Sequence, residues 1–183
     1  MNSKKNSAGK YDVRKFEWLK AVETFVVLVI VIFILFRFVI GFSVVDGVSM
    51  QKTFMKGETV FYTRITGEAE EGEIVFVRIP SGEYYVKRVI AKGGDTVDLR
   101  DGVLYINGEA ETGDYIYGVT RPEDLVVSYP YTVPEGYLFL LGDNREESID
   151  SRSFGAIHQK EVKGKIFFRL GNRDDLPLMG KVK

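Results

Sequence analysis

The sequence has no cysteine and a single histidine, His158. Without thiols there is no disulfide, no thiolate metal site and no cysteine nucleophile. One imidazole cannot build a multi-histidine metal site, and a Ser-His-Asp triad would have to use His158. Charge of one sign is also missing: 25 basic side chains stand against 26 acidic ones, a formal net charge of −1. That balance offers no electrostatic footprint for nucleic acid. No internal repeat, low-complexity tract or long amphipathic helix is present. What remains is 183 residues, 45% apolar and 28% charged, enough for one folded domain with a short appendage.

The even balance conceals an asymmetry. Residues 1–20 carry six basic and two acidic side chains, and the rest of the chain carries the acidic excess. Next comes Phe25–Phe36, twelve apolar residues without a break, and the window Thr24–Ser43 is apolar at 16 of 20 positions. A helix of that length covers about 30 Å, the hydrocarbon thickness of a bilayer. The β-branched residues that dominate it are acceptable in lipid, where the backbone must satisfy its own hydrogen bonds. A buried core helix would need a polar face, and the run is long for a cleaved signal sequence. The reading is therefore an uncleaved, single-pass anchor: a cytoplasmic basic N-terminus at 1–20, a transmembrane helix at 21–42 and an extracytoplasmic domain at 43–183. Trp18, Glu23 and Arg37 fall near the two interfaces.

Beyond residue 43 the periodicity is that of strands. Thr59–Ile65, Ile74–Ile79, Tyr84–Ile90, Thr96–Leu99, Val103–Ile106, Tyr137–Leu141 and Ile166–Leu170 are rich in β-branched and aromatic residues. Asp101-Gly102 predicts a hairpin and Asn107-Gly108 a second turn. Residues 109–132 are polar and punctuated by Gly and Pro, and read as an insertion or long loop. The expected fold is mainly β, an antiparallel sheet domain preceded by one helix.

Three clusters could carry chemistry. The first is Gly47-Val48-Ser49-Met50, which on residue type alone is a loop with a serine. The second is Val86-Lys87-Arg88-Val89, where alternation places Lys87 and Arg88 on opposite, mainly apolar faces, so that one cation is drawn inward. A desolvated lysine has a lowered pKa and becomes a base near neutral pH, whereas an edge-strand lysine merely discourages aggregation. The third is Gly142–Gly155, a dense polar loop between apolar strands, either solvated or packed as an Asp/Arg network. A serine nucleophile needs a base, and His158, a carboxylate and a lysine are all candidates.

In this order after an anchor, the clusters resemble the three boxes of the bacterial type I signal peptidases, membrane-anchored Ser/Lys proteases of the S26 type that remove signal peptides from exported proteins. The resemblance covers about residues 15–170. It is carried by Gly47-x-Ser49-Met50, by Lys87-Arg88-Val89-Ile90-x-x-Gly93-Gly94-Asp95, and by Gly142-Asp143-Asn144-x-x-x-Ser148-x-Asp150-Ser151-Arg152. It implies Ser49 as nucleophile, Lys87 as general base, Ser148 orienting the Lys87 amine, and Asp150 pairing with Arg152. Gly47, Arg88, Asp143 and Asn144 support these as members of the boxes. It implies no metal and no cofactor. The implied partners are preproteins with small residues before the cut, the lipid bilayer and the Sec translocon. Three positions depart from the family pattern. Gly47 stands where some members have an assisting serine, Lys52 where proline is usual, and Ala91 where glycine is usual. The loss of proline is expected to loosen the nucleophile loop. The rival readings are a self-cleaving Ser/Lys domain, a signal-peptidase-like scaffold serving one pilus or secretion system, and a generic anchored β binding module.

Overall fold

The computed structural model describes residues 8–65, 67–123, 126–171 and 179–181. The chain divides into two compact units after Val39. In the first, helix α1 (Ala8–Ile34) continues into a turn of π-helix, Leu35–Val39. Lys15–Val39 is long and apolar enough to cross a membrane, and none of its side chains is buried in the protein. The helix thus stops three residues short of the expected boundary at 42. Ile40–Val44 is instead strand β1, paired with β2 (Thr59–Thr63). Glycine is needed in this pairing, because a Cβ at Gly41 would lie 2.2 Å from the Tyr62 ring.

The second unit is all but entirely β. Strands β3 (Ile74–Arg78), β4 (Tyr84–Lys92), β5 (Thr96–Arg100) and β6 (Val103–Ile106) follow in order. After them come β7 (Glu109–Ala110), β8 (Tyr131–Thr132) and β9 (Tyr137–Leu141). The short helix α2 (Ser151–Phe154) leads to β10 (Ile157–His158), β11 (Val162–Leu170) and β12 (Met179–Lys181). The main antiparallel sheet runs β1-β2-β11-β3-β4-β9-β10, with β12 also on β11; a smaller sheet runs β7-β6-β5-β8. Asp101 and Gly102 both have positive φ, 49° and 80°, the type I′ geometry whose twist matches flanking strands. Asn107 and Gly108 repeat it at 52° and 87°. The segment 109–132 supplies β7 and β8 at its ends, and its described residues between them form no strand.

Of three apolar clusters, one joins the two sheets and another seats the loop after β1. Ile90, Ala91, Phe139 and Leu141 of the main sheet pack on Val97 and Leu104 of the small one. Met50 and Phe54, which follow the candidate nucleophile Ser49, plug into Val60, Tyr62, Ile74 and Ile166. Phe54 is fully buried. Phe54→Ala should therefore cost about 3–5 kcal/mol, read as a lowered denaturation midpoint of the full chain in detergent micelles.

Candidate active site

The loop between β1 and β2 carries Ser49. Its base is closed by Val45 N–H donating to Glu58 O and Gly57 N–H donating to Val45 O, both at 2.8 Å. The buried Glu58 carboxylate accepts from the Met55 N–H and from Arg169 Nη1, each at 2.9 Å. With Met50 and Phe54 as plugs, the half-buried Ser49 sits on a turn anchored on both sides. Lys52 stands in this loop where proline would not fit. It adopts φ +87°, a left-handed conformation closed to proline, and its Nζ reaches Ile116 O at 3.5 Å. The loop is built differently around this residue, with local strain of roughly 1 kcal/mol or more.

Strand β4 carries Lys87 and Arg88, and both are buried, at 2% and 3% exposure, where one was expected inside. Their surroundings differ. Arg88 is fully satisfied: Nε and Nη2 donate to the two oxygens of Asp143 at 2.8 Å, and Nη1 donates to Gly72 O at 2.8 Å. The Thr53 hydroxyl also meets that carboxylate. Among the described residues Lys87 has no carboxylate as a hydrogen-bond or ion-pair partner. Nζ donates to Ser148 Oγ at 3.1 Å and lies 5.2 Å from the Tyr85 ring centre. Burial is the main cause that lowers its pKa to about 8; Asp150 pulls it upward and Arg152 downward.

The third loop is locked at its far end. Arg152 Nε and Nη2 donate to the two oxygens of the fully buried Asp150 at 2.8 and 2.9 Å. The same carboxylate accepts from the Gly142 N–H at 3.1 Å and from the Arg152 N–H at 3.2 Å, capping α2. Asn144 ties this loop to the nucleophile: its N–H donates to Ser49 O at 2.9 Å and Nδ2 donates to Val48 O at 3.2 Å. Gly142 sits where these parts meet, since a Cβ there would lie 2.2 Å from Ser148 Oγ and 2.6 Å from Ser49 O.

Ser49 and Lys87 line one open cleft of about 510 Å³, together with Val44, Val45, Tyr85 and Val86. Among the described residues no hydrogen bond joins Ser49 Oγ to Lys87 Nζ; such contacts often tighten only when substrate arrives. The Ser49 N–H likewise has no partner there. Gly47 is exposed, and a Cβ on it would meet nothing nearer than Ser49 N at 4.0 Å. Ala91 lies buried in β4 without a positive φ, so glycine is not required. His158 is elsewhere, its ring against Tyr137 and its Nδ1 accepting from the Lys160 N–H. Sequence reasoning did not single out Glu111, Tyr115 or Glu123: Tyr115 meets Arg88, Glu123 meets Arg152, and Glu111 meets Arg145 of the third loop. They belong to no repeating pattern, and their polarity reads as surface.

The φ at residue 52 gives a direct check. Lys52→Gly should raise stability by about 1 kcal/mol, whereas Lys52→Pro should lower it by ~3 kcal/mol or more, both measured by denaturation in micelles.

A sequence model of the family described as "Signal peptidase, peptidase S26" matches residues 16–170. Signal peptidase IB of Staphylococcus aureus is 35% identical, across 85% of this chain and 90% of the relative. Signal peptidase I of Bacillus licheniformis is 37% identical, across 81% and 84%. A crystal structure of a signal peptidase I from Enterococcus faecalis V583 is 37% identical, with a TM-score of 0.46 over 54% of this chain and 96% of that one. The chain belongs to the signal peptidase family, peptidase S26.

Proposed function

We propose that this type I signal peptidase cuts preproteins with Ser49 as nucleophile and Lys87 as general base. The observation that carries the reading is Lys87 itself, an amine 2% exposed at the wall of the Ser49 cleft, with a serine rather than a carboxylate as its hydrogen-bond partner. An ammonium in that position is poorly solvated and meets no carboxylate within hydrogen-bond reach among the described residues, so the proton is released more readily than from an ordinary lysine. The neutral amine takes the Ser49 proton as Oγ attacks the scissile carbonyl, and then gives it to the leaving amine of the mature chain. Water resolves the acyl-enzyme with Lys87 again as base. Ser148 orients Nζ. The unpartnered Ser49 N–H faces the developing oxyanion.

The cleft suits an extended peptide. Val44 and Val45 line one side, and Tyr85 and Val86 the other, so the walls are largely apolar and favour small side chains beside the cut. The six basic residues among positions 1–20, ahead of the apolar run, orient the N-terminus to the cytoplasm and the β unit to the outside, by the positive-inside rule. Lipid then surrounds α1, and the Sec translocon is the source of substrate. A non-catalytic scaffold is not favoured, because such a protein has no use for a desolvated amine beside a serine.

Ser49→Ala and Lys87→Ala should each abolish cleavage of a signal-peptide precursor in micelles, while His158→Ala leaves it intact. Activity should fall as pH drops through about 8, where the folded amine gains its proton; full turnover well into acid would refute an amine base. Because the space at residue 47 is open, Gly47→Ser can add an oxyanion donor. Its kcat should rise up to about tenfold with KM unchanged.

A further inference from the structure

One buried circuit of polar contacts lies outside the chemistry above. Arg145, 1% exposed, places Nη1 and Nη2 on the two oxygens of Glu111 at 2.5 and 2.6 Å. It also donates to Thr120 Oγ1 at 3.0 Å and, through Nε, to Gly142 O at 3.2 Å. The Tyr115 hydroxyl donates to Glu111 Oε1 at 3.0 Å. The Tyr115 ring lies under the Arg88 guanidinium, 4.0 Å from ring centre to Cζ. Arg88 then returns to the loop through Asp143, the residue after Gly142. The circuit is therefore closed: Arg88, Tyr115, Glu111, Arg145, Gly142, Asp143 and back to Arg88.

What it encloses is the backbone that positions the reacting groups. Gly142 packs against Ser148 Oγ, and Asn144 holds the carbonyls of Ser49 and Val48. The base-bearing strand enters the same circuit through Arg88, the neighbour of Lys87. Tyr117 reinforces it, its N–H donating to Asp143 O and its carbonyl accepting from the Arg145 N–H, both at 2.8 Å. A buried ion pair is a weak source of net stability compared with apolar packing, but it fixes direction. Here Arg88 is aimed at Asp143 of the third loop, and Arg145 reaches from that loop to Glu111.

We infer that Glu111 and Tyr115 are positioning residues for this peptidase: the segment after β7 clamps the third loop so that Ser148 and Ser49 stand in register with Lys87. The inference rests on the Ser49/Lys87 reading. Its failure is separable, because an active Lys87→Ala would sink that reading whatever these residues do.

The test uses the full chain in detergent micelles and a preprotein whose signal peptide ends in Ala-x-Ala. Glu111→Gln removes the charge but keeps the shape. Tyr115→Leu removes the ring from Arg88, and Tyr115→Phe restores it. Glu111→Gln and Tyr115→Leu should each lower kcat about 10- to 100-fold with KM within about twofold, as for a misplacement of catalytic groups by about 1 Å. They should also move the acid limb of the kcat/KM profile. Tyr115→Phe should recover kcat to within about threefold of the parent. If the variants melt earlier yet show the parent's kcat and acid limb, the role is structural and the inference fails. Should Glu111→Gln not fold, the Tyr115 pair decides the question on the same readouts.

Discussion

A lysine amine removed from water loses most of the solvation that keeps it charged, and Lys87 is held in that condition by the sheet. It lies in β4, with β3 on one side and β9 on the other. Its polar neighbour is a hydroxyl, which accepts or donates with equal ease and does not demand a cation. Adjacent in sequence, Arg88 is as deeply buried, and Asp143 meets its guanidinium with two oxygens. Two cations one residue apart are thus given different partners, and Lys87 holds its proton less tightly than an ordinary lysine. Among the described residues no carboxylate bonds Nζ, while each arginine that packs the site meets one.

Those arginines explain how so polar a loop is packed without being solvated. Arg88, Arg145 and Arg152 are each 3% exposed or less, and each faces a carboxylate bidentately: Asp143, Glu111 and Asp150. The cost of burying a guanidinium is offset only when its donors are filled, so each removal would leave a stranded charge. The loop from Gly142 to Arg152 is consequently tied at both ends. It sets Asn144 on the Ser49 carbonyl and Ser148 on the Lys87 amine. The nucleophile loop is held by other means, the apolar plugs Met50 and Phe54, reinforced by Glu58 and Arg169.

Much of this was legible in the residues. β6 and β9 fall at their expected positions, and β2 to β5 fall within two residues at either end, because alternation and β-branching report a half-buried strand directly. The hairpin at Asp101-Gly102 is equally local, since its positive φ needs those residue types. β1 was hidden. Ile40-Gly41-Phe42 continues an apolar run that has no period, so nothing in the pattern marks where helix gives way to strand. The clamp from 111 to 123 was hidden for a different reason. Its polar side chains serve buried arginines 25 to 34 residues away, and no local rule distinguishes such a carboxylate from a solvated one. Lys52 shows the limit of residue-by-residue comparison. A missing proline suggested slack, yet the chain takes a φ that proline could not supply.

The account turns on the protonation state of one nitrogen, and that state can be observed without turnover. Selective isotope labelling of lysine in the full chain, assigned with Lys87→Arg as the reference, allows the Lys87 side chain to be titrated by NMR. The account predicts a midpoint at about 8, well below the 10.5 of an ordinary lysine. A midpoint near the ordinary value would leave only about one amine in three thousand neutral at pH 7, against about one in ten for a midpoint of 8, and would contradict the proposed base.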